Sequence, residues 1–225
     1  MIAIHEARQA VLDSCSVLTA QLTSCEDMAG CVLAQDVVAT ENVPPFANSA
    51  VDGYAVRAAD VSTVPCELNV IGTIAAGSAS SFTLSKGDAA RIMTGAPIPL
   101  GADAVVMVED SEKLGSDRVR LSRPAQPMGA IRQVGSDVRI GEIVFRAGSV
   151  LNAPGAGVLA SINARQVLAY PRARVAVLAT GDELVIDGSP LKPGQIRESN
   201  LTMLDAIIAA TGCDVINLGI LADDE

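Results

Sequence analysis

The spacing of apolar residues changes character along this 225-residue chain. At 6–18, Ala7, Ala10, Val11, Cys15 and Leu18 recur at i, i+3 and i+4, which predicts an amphipathic helix. A second apolar block at 28–38 reads as helix turning into strand. Pro44-Pro45 then breaks any helix and sets an extended lead-in. Beyond it the apolar runs shorten. Residues 67–73, 89–93, 104–108 and 118–121 are β-rich and separated by Gly, Pro, Ser and Asp, which predicts a small all-β module reaching to about residue 139. A strand at 142–145 leads through Gly148 and Pro154-Gly155 into a brief helix ending near Ile162.

The last fifty residues differ again. Residues 174–180 form an almost unbroken apolar run, as expected of a strand covered on both faces. Ser199-Asn200 supplies a helix cap, Leu201, Leu204, Ile207 and Ile208 form one face, and Gly212 marks the end. Residues 214–220 are a second apolar strand, so strand, helix, strand predicts the opening of a parallel α/β sheet with a right-handed crossover. Two parallel strands and one helix cannot cover both faces of such a sheet. Either another chain completes it or, the favoured expectation, this is the amino-terminal part of a longer protein.

Composition narrows the chemistry. The length suits one large or two ordinary domains. A net charge of −10 with three Phe, two Tyr and no Trp argues against a nucleic-acid partner, which calls for a basic surface and stacking platforms. With His5 the only histidine, Ser–His or Cys–His catalysis and a His-built zinc site are nearly excluded. Carboxylates, hydroxyls, backbone and arginine must carry any reaction. The five cysteines, odd in number and without a C-x-x-C pair, read as reduced cytosolic thiols. No signal peptide and no run of about 18 apolar residues is present, so the expected location is cytoplasmic, with no membrane partner.

Ligands of open α/β sheets bind at the carboxyl ends of the strands. Thr180-Gly181-Asp182-Glu183 and Asp223-Asp224 fall there, two acidic clusters suited to a divalent cation or to the hydroxyls of a nucleotide-like ligand. Two polar loops capping helices would look the same. Asp52-Gly53 alone reads as a hairpin turn, and the proline-stiffened loop 93–103 suits structure or ligand equally. Gly135-Ser136-Asp137 is another turn-borne carboxylate. Gly155-x-Gly157-x-x-Ala160 lacks the βαβ context of a dinucleotide site and reads as a helix start. Gly72 to Gly77 has P-loop spacing, but Ser78 stands where the lysine belongs.

Taken together, four blocks carry a specific resemblance. They are Pro-Pro-Phe-x-Asn-Ser-Ala-x-Asp-Gly-Tyr-Ala-Val-Arg (44–57), Arg-Ile-Met-Thr-Gly-Ala-Pro-Ile-Pro-x-Gly-Ala-Asp-Ala-Val-Val-Met (91–107), Arg132-x-x-Gly135-x-Asp137-x-x-x-Gly141, and Thr-Gly-Asp-Glu-Leu (180–184). In order and spacing they resemble the molybdopterin molybdenumtransferases of the bacterial MoeA type, to which the gephyrin E domain is similar. The resemblance implies an α+β multidomain fold: a discontinuous, mixed, dimerising first domain (1–43 and 140–171), an inserted small all-β domain (44–139), and the start of a parallel α/β molybdopterin-binding domain that is cut short (172–225). It implies a homodimer that inserts molybdate into adenylylated molybdopterin, releasing AMP, with Mg²⁺ required. The pterin nucleotide is then the substrate, and the adenylyltransferase that makes it is a candidate partner.

By motif match, Asp52, Thr94, Asp137, Glu183 and Asp223 correspond to the family's functional acidic and hydroxyl positions. Glu183 and Asp223 are the candidate metal ligands, and the acids either hold a cation or polarise water at the phosphoanhydride. Thr94 is expected to position, not to attack, since no base lies near it in sequence. Ala47 stands where the family commonly has an acid, and Val51 where it commonly has Met. The family's Ser-Gly-Gly loop, its further strands and its closing β domain are absent from the chain, so pterin-binding residues are expected beyond residue 225 and the chain alone is expected to be inactive. The alternative is a non-catalytic dimerising or scaffold module of the same descent.

Overall fold

The computed structural model describes residues 2–78 and 81–223, a mixed α/β structure of many strands and few helices. Helix α1 (Ile4–Ser14) is followed by four short strands, β1 (Gln21–Ser24), β2 (Val32–Leu33), β3 (Val37–Val38) and β4 (Asn48–Ser49). Next come β5 (Gly53–Val56), β6 (Cys66–Ile74), β7 (Asp88–Ile92), β8 (Ala104–Met107), β9 (Ser111–Leu114) and β10 (Arg118–Leu121). Strands β11 (Ile131–Arg132) and β12 (Ile143–Phe145) precede helix α2 (Ala153–Ser161). The chain continues through β13 (Gln166–Tyr170), β14 (Arg174–Thr180), β15 (Leu184–Val185) and β16 (Ile196–Arg197) to helix α3 (Asn200–Ala210) and β17 (Asp214–Leu221). It divides into two compact units, Val38–Glu142, and Met1–Val37 with Ile143–Glu225.

The 38–142 unit is built on a six-stranded sheet in the order β8-β5-β7-β6-β10-β9. Its neighbours are antiparallel except β6 and β7, which are parallel. Successive side chains on a strand point to opposite faces. Tyr54 and Val56 accordingly join Leu68, Val119 and Leu121 in one buried cluster, while Ala55 joins Ile74, Ile92 and Val105 in another. Strand β5, buried at all four positions, lies between them. The expected runs are present as β6, β7, β8 and β10, each within one residue of its predicted bounds.

In the other unit β1, β13 and β2 form an antiparallel sheet, and Val167 and Ala169 of β13 are buried. Helix α2 begins where expected, with the Asn152 side chain accepting the Gly155 N–H at 2.8 Å and Pro154 in the first turn. Three expectations need correction, and a fourth is met. Helix α1 stops at Ser14, short of Leu18, because the Ser14 hydroxyl turns back to the Val11 carbonyl (2.8 Å) and Cys15 becomes extended. No helix forms in 28–38, where Gly30 at φ +85° makes a turn before β2. Strand β14 alternates between more and less covered positions and only Val177 is buried, the incomplete cover expected of two strands and one helix. At α3 the capping bond comes from Glu198, whose Oε1 accepts the Leu201 N–H at 2.6 Å, and not from Ser199. Strands β14 and β17 are parallel, and α3 packs on both.

All five cysteines are free. No helix among the described residues is long and apolar enough to cross a membrane.

Candidate functional site

Three distant segments meet in one backbone ribbon of the 38–142 unit. The Ser49 N–H donates to the Ala96 carbonyl (3.0 Å), Gly95 N–H to Ser49 (2.8 Å) and Ile98 N–H to Ala47 (3.1 Å). Strand β11 pairs antiparallel with β4, Arg132 opposite Asn48. The segments so joined are the Pro-Pro-Phe, Met-Thr-Gly-Ala-Pro and Arg132-to-Gly141 blocks, each of which alone passes for an ordinary loop.

Asp52 and Thr94 come together on this ribbon. Asp52 Oδ1 accepts the Thr94 N–H at 2.7 Å and the Thr94 hydroxyl at 2.8 Å. Bonds to the ionised form favour it, so the Thr94 N–H, then its hydroxyl, then the nearby Arg91 charge hold the Asp52 carboxyl below its ordinary pKa. Thr94 therefore does have a base beside it, 42 residues away in sequence. A carboxylate stabilised in this way is a poor proton acceptor at neutral pH, so the pair is suited to positioning and hydrogen bonding. Asp52-Gly53 is no hairpin turn, since Gly53 opens β5 and pairs on both sides, with Ile92 and Met107. A Cβ at 53 would lie 2.0 Å from the Val106 carbonyl oxygen, which explains the glycine.

Asp137 is held by an ion pair with Arg132 and by the Ser136 hydroxyl, 3.0 Å from its Oδ1. Its backbone N–H donates to the Val43 carbonyl at 2.9 Å. Three of the five expected residues, Asp52, Thr94 and Asp137, thus hang on bonded neighbours of one ribbon.

Glu183 and Asp223 belong to the other unit, just past the ends of β14 and β17. Gly181 (φ +139°) leaves room for the Glu183 carboxylate, one oxygen of which lies 2.6 Å from where a Cβ at 181 would stand. Asp182 Oδ1 accepts the Asp223 N–H at 3.4 Å. Glu183 lines a cleft of about 380 Å³ with Thr180, Arg197, Glu198 and Asn200, where Glu198 Oε2 is buried without a partner. Among the described residues no three acidic, His or Cys side chains form a ready-made metal cage. Mg²⁺ commonly takes one or two carboxylates, water and substrate phosphates; Glu183 and the orphaned Glu198 oxygen suit that use, although Arg197 shares their cleft and Asp223 does not line it.

Sequence reasoning gave Arg91 no role and took Asp182 only as a member of the acidic cluster at 180–183. The signal for Arg91 was available: a lone arginine inside the apolar strand β7. Asp182 offered none beyond its place in the acidic cluster.

Residues 2–163 match the family model for the MoeA N-terminal region, domains I and II. The chain belongs to the MoeA family. Asp52, Thr94 and Asp137 fall inside the part matched by the MoeA model, and Glu183 and Asp223 beyond it. Molybdopterin molybdenumtransferase 2 of Mycobacterium tuberculosis is 40% identical over 231 residues, spanning all of this chain and 56% of the relative. The Haemophilus influenzae molybdopterin molybdenumtransferase is 36% identical over 226 residues, again spanning all of this chain and 56% of the relative. The crystal structure of the molybdopterin biosynthesis MoeA protein from Pyrococcus horikoshii OT3 has a TM-score of 0.78 at 33% identity, over all of this chain and 61% of that one. The chain therefore spans little more than half the length of these MoeA relatives.

Proposed function

We propose that this chain serves molybdenum cofactor biosynthesis, in the insertion of molybdate into adenylylated molybdopterin with release of AMP. What carries the reading is the ribbon that sets the Asp52–Thr94 pair and the Arg132–Asp137 pair on adjoining segments, within a MoeA chain whose relatives are named molybdopterin molybdenumtransferases. Both substrates are anions, so the site has to orient phosphate and molybdate oxygens beside its own carboxylates. The Thr94 hydroxyl donates to Asp52 and so fixes that carboxylate, while Arg132, beside Asp137, supplies the positive charge and N–H donors that anionic oxygens require. Glu183 and Asp223 would hold Mg²⁺, which when bound offsets negative charge on the phosphate and molybdate oxygens. The adenylyltransferase that supplies the pterin nucleotide is the natural upstream partner.

The test is AMP release from adenylylated molybdopterin with molybdate and Mg²⁺, catalysed by the intact protein. Asp52→Ala and Glu183→Ala should each lower the rate by on the order of a hundredfold, as misplacement of reacting groups does, with only a slight shift of the melting temperature. Equal loss of activity and of fold would make both residues structural. The same reading makes the protein a homodimer, so mixed Asp52→Ala and Glu183→Ala chains should regain part of the activity. No recovery after proven subunit exchange counts against it. A dimer that never supports AMP release would be the scaffold module instead.

A further inference from the structure

We propose, resting on that reading of the site, that Arg91 is the positioning residue of the Asp52–Thr94 pair. Arg91 lies on β7 opposite Tyr54 of β5, its guanidinium carbon 5.4 Å from the centroid of that buried ring. Its Nη1 donates to the Gly53 carbonyl at 2.7 Å and more weakly to the Ile92 carbonyl at 3.4 Å. Gly53 directly follows Asp52, and Ile92 stands two residues before Thr94. One planar cation therefore ties together the two backbone segments that carry the pair.

Joining the strands does not require this arginine. Strands β5 and β7 are already paired from Gly53 to Ala55, and β5 is buried throughout. Among the described residues Arg91 has no carboxylate ion-pair partner. Its half-buried charge faces two carbonyls, a ring face and, at longer range, the Asp52 carboxylate, and the planar fork of the guanidinium fits that set better than a lysine ammonium. Gly53 cannot retreat on its other side, where the Val106 carbonyl closes in. Loss of the guanidinium contact thus removes the tether on the Gly53–Tyr54 peptide, one residue from the carboxylate that Thr94 bonds.

The Thr94 amide, 2.7 Å from Asp52 Oδ1, reports the pair directly in ¹⁵N–¹H spectra of the 225-residue chain. In Arg91→Met its proton should move upfield and exchange faster, while amides of β9 and β10, which do not border β7, keep their positions. In the AMP-release assay kcat should fall about tenfold to a hundredfold with KM little changed. Arg91→Lys, which keeps the charge and loses the fork, should restore neither. An unmoved Thr94 amide in Arg91→Met overturns the proposal whatever the activity, and so does full rescue by Arg91→Lys. If Arg91→Met does not fold, the Thr94 amide of folded Arg91→Lys decides in the same way: displaced supports, unmoved overturns. A displaced amide in a protein whose wild type never releases AMP leaves Arg91 in its role and removes the proposed function.

Discussion

The six-stranded sheet of the 38–142 unit and the parallel pair β14–β17 place their functional candidates by different means. In the first, both faces carry buried clusters, and residues such as Val56, Leu121 and Ile92 are fully covered. In the second, Val177 is the one buried residue of β14, while Leu178, Leu218 and Leu221 are exposed. The candidate side chains follow suit. Asp52 has two bonds to Thr94 and Asp137 an ion pair with Arg132, whereas Asp223 is joined to Asp182 by a single long bond. A packed sheet can hold a pair of side chains at fixed distance. A rim on a half-covered sheet leaves its carboxylates open to ligand.

The harshest way to break this contrast is to put a methyl group where the packed sheet has no room. Gly53→Ala drives a Cβ into the Val106 carbonyl, and separating β5 from β8 should cost more than about 4 kcal/mol, the range of severe overpacking. Denaturant unfolding of the variant measures it. A melting curve like that of wild type would show that the close approach relaxes freely, and the claim of a rigid mount for Asp52 would go with it.

Truncation of matched leucines sharpens the comparison at smaller cost. Leu121 is 0% exposed and Leu178 is 44% exposed. Leu121→Ala should lose about 2–5 kcal/mol, as buried leucines do, and Leu178→Ala under about 1 kcal/mol. Similar losses at both positions would mean that β14 is as well covered as β10, contrary to its alternating burial.

Much of this was legible before any coordinates. The strands of the packed sheet announce themselves because short apolar runs are cut off by turn residues, and β10 falls where its run predicts. Strand β14 lies where its apolar run predicts, and its incomplete cover follows from the count of two strands and one helix, since the run itself looks the same whether one face or two are covered. Strand β13 escaped notice, since five residues directly after a helix give period-2 alternation little space. The site shows the same divide. Motif matching named Asp52 and Thr94 separately, yet nothing local in sequence joins residues 42 positions apart. The bond between them exists because β5 and β7 are sheet neighbours and the ribbon at Ser49 aligns the loops beyond them. Pairing across a sheet is a property of topology, which no local pattern encodes.

The smallest expected effect is also the most specific to that bond. Asp52→Asn removes the charge and keeps an oxygen able to accept from Thr94. The folded-state pKa of Asp52 lies below its ordinary value because Thr94 donates twice to the ionised form. A depressed carboxyl pKa stabilises the fold fully above the unfolded-state value of about 4 and loses that contribution as pH falls through the folded value. Wild type should therefore melt slightly above Asp52→Asn at pH 5 to 8, by a constant margin that shrinks below about pH 4 and vanishes in stronger acid. Asp52 is exposed, so the margin is small. Paired scans across pH detect it because the two proteins differ in nothing else. A margin that grows in acid would mean that the fold prefers the protonated carboxyl, and the two Thr94 bonds would then not be what holds Asp52 in place.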